Sequence, residues 1–374
     1  MKHLLKNYVY PVSVITGSII GVGFLSLPYI TLRVGTTVMA VYFIALTALV
    51  TAVHVIFGKV CLKTPDFKRL PGFAGFYFGR WVKGLVLTSM SFGLFGVLLS
   101  YLVIGSSFLS GIFNGILGGN ALNYVLLYFS VASIFVYFGL KAISKINFLV
   151  LILLAAAILT IFIKGFSHIN LSNFLISAAD FKIPNLFLPY GTIIFSLWGI
   201  GLIPEADEMM RGGKKSLKKI IIISTLTASV FYFLFILLIL GISGASTTES
   251  AIMGLKNFFD GGFMPVVLSI GVMTTFVAFI SQGLLLKKIF IYDLKIKELP
   301  AFVLTVFPPL LLFLLGFTSF IPIISFIGGV FLGIDGILVM LMYVKIGGRK
   351  IVAYPLIAVF MLGIAYSLIY FTSK

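Results

Sequence analysis

Charge is scarce in this chain, and negative charge scarcest of all. Asp and Glu together number 10 among 374 residues, against 27 Lys and Arg. Charged residues make up 10% of the sequence, where a soluble domain carries about 25%. Cysteine occurs once, at Cys61, which excludes an internal disulfide; we read it as a structural thiol near the cytoplasmic end of a helix. Three histidines and one cysteine are too few to indicate metal or thiol chemistry. Neither a Walker loop, a metal-ligand cluster nor a nucleophile–His–acid set is present, so nothing points to an enzyme. Low-complexity tracts and a soluble domain are missing as well.

What fills the chain is apolar: 60% of residues are hydrophobic and the mean hydropathy is +1.20. A water-facing globule cannot hide that much apolar surface, so the bilayer is the expected solvent. Eleven runs are long enough to span, each needing about 20 residues: 9–32, 35–57, 84–110, 121–140, 146–165, 186–207, 220–243, 263–286, 299–317, 320–343 and 352–371. They do not alternate as barrel strands would, so they are helices. The start of the chain loosely resembles a signal peptide but has no convincing cleavage site, and we read it as retained.

The net charge of +17 is a topology signal rather than a nucleic-acid face. With the N-terminus inside, 22 of the 27 basic residues fall in inner segments. Only Arg33, Lys164, Lys182, Lys256 and Lys374 fall outside. This bias predicts a cytoplasmic N-terminus and an extracytoplasmic C-terminus in a cell inner membrane. The inner loop at about 58–83 reads as a surface-lying segment. The outer loop near 244–261 reads as a short capped helix, with Ser246 and Glu249 at capping-box spacing, serving either as a lid or as an ordinary connector.

Two runs carry interruptions. The first contains Thr16, Gly17, Ser18, Ile19, Ile20, Gly21, Val22 and Gly23, with Pro28 five residues on. Glycine costs a helix about 1 kcal/mol per site relative to Ala. The alternative use of Gly17 and Gly21 is small-xxx-small packing. The sixth run contains Phe195, Ser196, Leu197, Trp198, Gly199, Ile200 and Gly201, then Pro204. Divided five and five, the runs place these two interruptions in register, and an odd repeat inverts its copy. Matching breaks in inverted repeats point to a transporter site. Free amides of a half-helix starting near Gly23 suit a carboxylate. Carbonyls ending the half-helices near Thr16 and Phe195 suit an ammonium. Both poles in one place suit a zwitterionic amino acid.

Residues 17–28 match the pattern G-[ST]-x-I-G-x-G-x-L-x-L-P. This resembles the first-helix signature of the amino acid–polyamine–organocation superfamily, closest to its aromatic and neutral amino acid permease branches. Ile203-Pro204 and Thr274-Thr275-Phe276 resemble the same branch, as does the count of eleven. The resemblance covers nearly the whole chain. It implies an all-α polytopic membrane protein with a LeuT-like five-plus-five inverted repeat and discontinuous helices 1 and 6. Repeat one would cover about 8–165, repeat two about 186–343, and an extra helix about 352–371. It further implies carboxylate binding by backbone at Ser18 to Gly23, amine binding at Phe195 to Trp198, and coupling to a proton or sodium gradient. That branch often carries a histidine in the sixth-helix break; here Trp198 stands there.

Several side chains are candidates. Trp198 either gates the substrate or packs the core; Trp81 reads as an interfacial anchor. Ser89, Ser91, Gly93 and Gly96 either wall the site or pack. Thr274 and Thr275 either contribute oxygens to a sodium site, which the resemblance places nearby, or bond their own backbone. Asp335, within Gly333-Ile334-Asp335-Gly336, is an ionisable group deep in an apolar run, costing about 2.5–3.5 kcal/mol there. It either couples protons or bonds helix ends. Glu205 either gates or begins the cytoplasmic face with Asp207 and Glu208. His54 reads as interfacial. No cofactor is expected beyond sodium as a coupling ion, and the partners expected are an amino acid and the lipid bilayer, not nucleic acid. Ion-coupled symport of a neutral or aromatic amino acid is the leading expectation. A ligand-sensing receptor subunit on the same fold, as in spore germination receptors, is the alternative, and a channel the third.

Overall fold

A computed structural model describes residues 8–65, 68–139, 143–175, 186–209, 217–259 and 262–372. Lys2, Lys6, Lys141, Lys182, Arg211, Lys214, Lys215 and Lys374, used above for topology, lie outside them. Fifteen α-helices follow in order among the described residues. They are α1 (Tyr10–Ile19), α2 (Leu27–Val34), α3 (Thr36–Lys63), α4 (Leu70–Phe78) and α5 (Arg80–Leu117). Next come α6 (Ala121–Phe138), α7 (Ile143–Gly165), α8 (Leu188–Leu197), α9 (Ile203–Met209) and α10 (Leu217–Ser243). The last are α11 (Phe263–Lys288), α12 (Glu298–Leu314), α13 (Phe320–Phe326), α14 (Leu332–Lys345) and α15 (Lys350–Thr372). Among the described residues there is no strand.

Seven of these stretches are single helices long and apolar enough to cross a membrane, and an eighth is the pair Tyr10–Ile19 and Val22–Val34, bent by 48°. Each of the eleven expected runs falls on a helix or an interrupted helix. Large apolar side chains face outward without cover, among them Ile44 at 71%, Leu362 at 71% and Ile351 at 82% exposure. In water such a surface would aggregate; against lipid tails it costs nothing.

Helix ends follow from local chemistry. Gly35 (φ 87°) closes α2 and opens α3, and Gly79 (φ 90°) does the same between α4 and α5. A side chain in that left-handed region costs about 1–2 kcal/mol. Proline sits in the first turns of α1, α2, α4 and α8, where its missing N–H is harmless. The helix expected to stop at residue 57 runs on to Lys63, and Gly58 within it is a packing site: a β-carbon there would stand 2.7 Å from Ile221 Cδ1. The segment expected to lie on the membrane surface contains α4, with Leu70, Pro71, Phe73 and Ala74 buried and Phe76 exposed.

The outer loop differs from expectation. Residues Gly244–Ser246 and Ile252–Asn257 form two short 3-10 turns, and neither carries a side-chain cap at its start. The capping box of Ser246 and Glu249 does not form. Its place is taken by Thr248, whose hydroxyl accepts from the Gly254 amide at 3.0 Å, and by a Ser243–Thr247 hydroxyl pair at 2.7 Å. Ile252 and Leu255 are buried, and Lys256 Nζ donates to the Gly111 carbonyl at 2.8 Å, which fastens this loop to α5.

The two interrupted runs lie against one another with α1 packing on α9 and α2 on α8. The start of one therefore meets the end of the other, an antiparallel pairing. α10 lies along α1 and α3, α11 lies along α5 and α7, and α15 packs at the periphery on α14.

Candidate functional site

α1 ends at Ile19, the residues Ile20 and Gly21 are non-helical, and a 3-10 turn over Val22–Ser26 leads into α2. α8 ends at Leu197, Trp198 and Gly199 are non-helical, and a second 3-10 turn over Ile200–Leu202 leads into α9. The helices thus end three and two residues later than Thr16 and Phe195. Within the added residues Ser18 Oγ donates to Ile15 O at 2.8 Å, and Ser196 Oγ donates to Thr192 O at 2.7 Å. Each hydroxyl ties its own residue to the preceding turn. Gly17 lies inside α1 and is exposed, away from the break.

The breaks touch. A β-carbon on Gly23 would stand 2.6 Å from Ser196 Oγ and 2.9 Å from Ser196 Cα. A β-carbon on Gly199 would overlap Ile19 and stand 3.1 Å from Ser18 Oγ. Only glycine permits this approach. Tyr232 of α10 spans the junction: its hydroxyl lies 2.7 Å from Ile19 O and 3.0 Å from Ser196 O, sharing one proton between carbonyls in the last turns of the two half-helices. Its ring stacks on Phe24 at 5.4 Å. Thr16 Oγ1 reaches Ser224 O at 3.4 Å while Ser224 Oγ donates to Val12 O at 3.2 Å, pinning α1 to α10. Beside the first break is a cavity of about 10 Å³, lined by Gly21, Val22, Thr274 and Thr275 with Phe108 and Ile252 among its walls. That is room for about one water molecule.

A tryptophan/tyrosine permease family model matches residues 5–354. The chain belongs to the tryptophan/tyrosine permease family. Among curated proteins, tyrosine-specific transport system 1 of Haemophilus influenzae (strain ATCC 51907 / DSM 11121 / KW20 / Rd) is 22% identical over 221 residues. That match takes in 59% of this chain and 54% of that protein, so the chain spans about half the length of this relative. The crystal structure of MhsT in complex with L-phenylalanine aligns over 97% of both chains, with a TM-score of 0.65 at 15% identity. The likeness is one of fold, and the fold is the LeuT-like one. The chain is a multi-pass membrane protein of this permease family.

The other residues of the permease singled out from sequence sort by position. Thr274 and Thr275 of α11 reach the cavity beside the first break, with hydroxyls donating to Ile270 O at 2.7 Å and Val272 O at 2.9 Å. Their protons are spent on their own helix. Trp198 turns elsewhere: its ring lies edge-on to His54 at 6.0 Å and to Phe360 at 6.3 Å, and its buried Nε1 meets no acceptor among the described residues. Asp335 of α14 is 7% exposed, with Oδ1 buried and without a partner among the described residues. Glu205 of α9 approaches Arg69 at 4.0 Å, just before α4 begins. Neither Asp335 nor Glu205 lines the cavity. Gly93 and Gly96 pack under Phe331 and Ile327, Ser91 bonds Leu87 O, and Trp81 is 77% exposed.

One reading is corrected. His54 is not interfacial: it is 0% exposed, about two thirds of the way along α3 and packed against the sixth-run break. Its Nε2 lies 3.2 Å from the Gly199 amide and its Nδ1 3.2 Å from Thr225 Oγ1. Histidine does therefore serve the sixth-run break in this permease, from a neighbouring helix. Distance in sequence hid it, because the pair is separated by 145 positions. Tyr232 and Tyr101 were missed for the same reason. The Tyr101 hydroxyl stands 3.2 Å from where a β-carbon of Gly21 would be, so it reaches the first break from α5.

Proposed function

We propose that this permease carries aromatic amino acids across the plasma membrane by ion-coupled symport with alternating access. The observation that carries the reading is the contact of the two breaks at Gly23 and Ser196, bridged by Tyr232. Two interrupted helices buried face to face bring helix-start amides and helix-end carbonyls into one place. The amides at Gly21 to Gly23 bind the substrate carboxylate. The carbonyls of Ile19 and Ser196, held by Tyr232 in this closed arrangement, turn to the substrate ammonium when the breaks part. The remaining proposed contacts are Thr16, Ser18, Ile20, Val22, Phe195 and Gly199; Gly17 and Trp198, expected among them from sequence, face away from the junction and are left out.

The aromatic class is supported by the family, by a tyrosine-specific relative and by a fold neighbour crystallised with L-phenylalanine. A cavity of about 10 Å³ cannot hold an amino acid, so loading requires the walls to move, as alternating access demands. Eleven spans, repeats at about 8–165 and 186–343, a cytoplasmic N-terminus and an extracytoplasmic C-terminus belong to the same proposal. For coupling, Asp335 and Glu205 are the proton candidates, and Thr274 with Thr275 the sodium candidates, since threonine oxygens beside an unwound backbone form a hard-cation site.

The test is uptake of labelled tryptophan, tyrosine and phenylalanine into proteoliposomes under imposed proton or sodium gradients. Concentrative uptake of at least one is expected; absence of flux for all under both gradients overturns the reading. A thermal-shift series across amino acids, with and without sodium, ranks ligands, since ligand at 100 times its Kd adds about 2.7 kcal/mol.

A further inference from the structure

The hydrogen bonds around His54 fix its proton. Thr225 Oγ1 has one proton, and it goes to Ile221 O at 3.0 Å. Toward His54 that oxygen can only accept, so Nδ1 carries the imidazole proton and donates to it. Nε2 is then a bare lone pair, and it accepts from the Gly199 amide. The result is a directed chain from Gly199 N–H through the ring to Thr225 and on to Ile221, complete only with a neutral imidazole. The Gly199 amide is one of the groups that the break strips of a helical partner, and His54 replaces that partner.

Protonation at Nε2 would set an N–H against the Gly199 N–H, two donors with nothing to accept. The cap must then open and the Trp198–Gly199 segment must move. The titratable and charged groups on the elements packed against α3 are Glu205, Asp207 and Glu208 on α9, and Tyr190 on α8. To these α10 adds Lys218, Lys219 and Tyr232, and α14 adds Asp335, Tyr343 and Lys345. Arg33 and Tyr29 lie on α2, and Lys59 and Lys63 further along α3. Lys59 sits over the Tyr343 ring at 5.6 Å and Lys63 bonds Ile346 O at 3.0 Å. Among the described residues the ring bonds an amide and a hydroxyl and no charged group, so neither partner would hold an imidazolium in place.

We infer that His54 is the positioning residue that links proton uptake to the sixth-run break: neutral, it caps Gly199 and holds the break shut; protonated, it releases the cap. This rests on the transport reading above. One proton enters at Nε2 when the break opens and the same proton leaves when Gly199 returns, so no other reactant is needed.

The test compares wild type with His54→Gln, whose amide oxygen can accept from Gly199 but cannot take up a proton. In proteoliposomes, gradient-free exchange of labelled tyrosine should persist in His54→Gln. Its proton-driven uptake should keep only the pH dependence that Asp335 and Glu205 contribute, at least threefold weaker than the roughly tenfold change expected of wild type between about pH 5.5 and 7.5. A wild-type pH profile in His54→Gln, or loss of exchange along with it, overturns the inference. A second readout needs no transport. With Trp81→Phe, Trp198 is the sole tryptophan, and an imidazolium beside it quenches its emission. Emission should fall on acidification with His54 present and stay flat in the Trp81→Phe/His54→Gln protein; the same titration in both, or none in either, overturns the inference. If no form of the protein moves tyrosine, the transport reading fails, while the fluorescence still decides the role of His54.

Discussion

At the scale of single residues, the permease spends its buried polar side chains on backbone. Tyr232 is the clearest case, one hydroxyl serving two helix ends that the membrane would otherwise leave bare. Its removal strands carbonyls, and a buried unsatisfied group costs about 1–3 kcal/mol. Tyr232→Phe should therefore lower the melting temperature in detergent, by an amount corresponding to about 1–3 kcal/mol, and weaken tyrosine binding; calorimetry with and without ligand reads both. An unchanged transition would show that the bridge contributes nothing. Asp335 is the opposite case, a carboxylate with one oxygen buried and without a partner among the described residues. Asp335→Asn should reduce proton-driven uptake by roughly tenfold or more while altering ligand affinity by less than about threefold, a split expected of a group serving coupling rather than binding. Full gradient-driven uptake in that variant would remove Asp335 from the coupling scheme.

At the scale of elements, close backbone contact decides where helices may sit. α13 and α14 are joined through a π-helical stretch, Ile327–Phe331, and Gly328 within it faces α8. A β-carbon at Gly328 would overlap the Gly191 carbonyl and stand 3.0 Å from Phe195 N. Backbone cannot yield as a side-chain tip can, so Gly328→Ala should cost about 3 kcal/mol, the upper end for overpacking. Gly115→Ala on α5 meets nothing within 4 Å and should be neutral or stabilising by up to about 1 kcal/mol. Gel filtration and thermal unfolding of the two variants check the contrast; equal behaviour would refute the packing account. The sequence showed that the runs at 186–207 and 320–343 were helical. It did not show that they touch through glycines, because the π stretch that turns Gly328 toward Gly191 leaves no pattern in hydropathy.

At the scale of the whole molecule, the arrangement is a buried pair of interrupted helices inside a jacket of lipid-facing ones. α15 illustrates the jacket, with only 22% of its most apolar window buried. The basic-residue bias predicts which end of each helix faces the cytoplasm. In a Cys61→Ser background, Asn120→Cys, at the start of α6, should react with a membrane-impermeant maleimide in intact cells. Gly347→Cys, between α14 and α15, should react only after the membrane is opened. The reverse pattern would invert the topology.

Composition alone settled the solvent: so few charges and so many apolar residues leave only the bilayer, where every span must satisfy its own backbone. The glycine-rich stretches at 17–23 and 196–201 marked where two spans fail to do so, because a helix without side chains at those points is locally weak. Which groups make good the lost partners was decided by the tertiary structure. Hydrogen bonds carry no record in sequence of their far partner, so His54, Tyr101 and Tyr232, each on a different helix from the break it serves, became visible only once the helices were packed together.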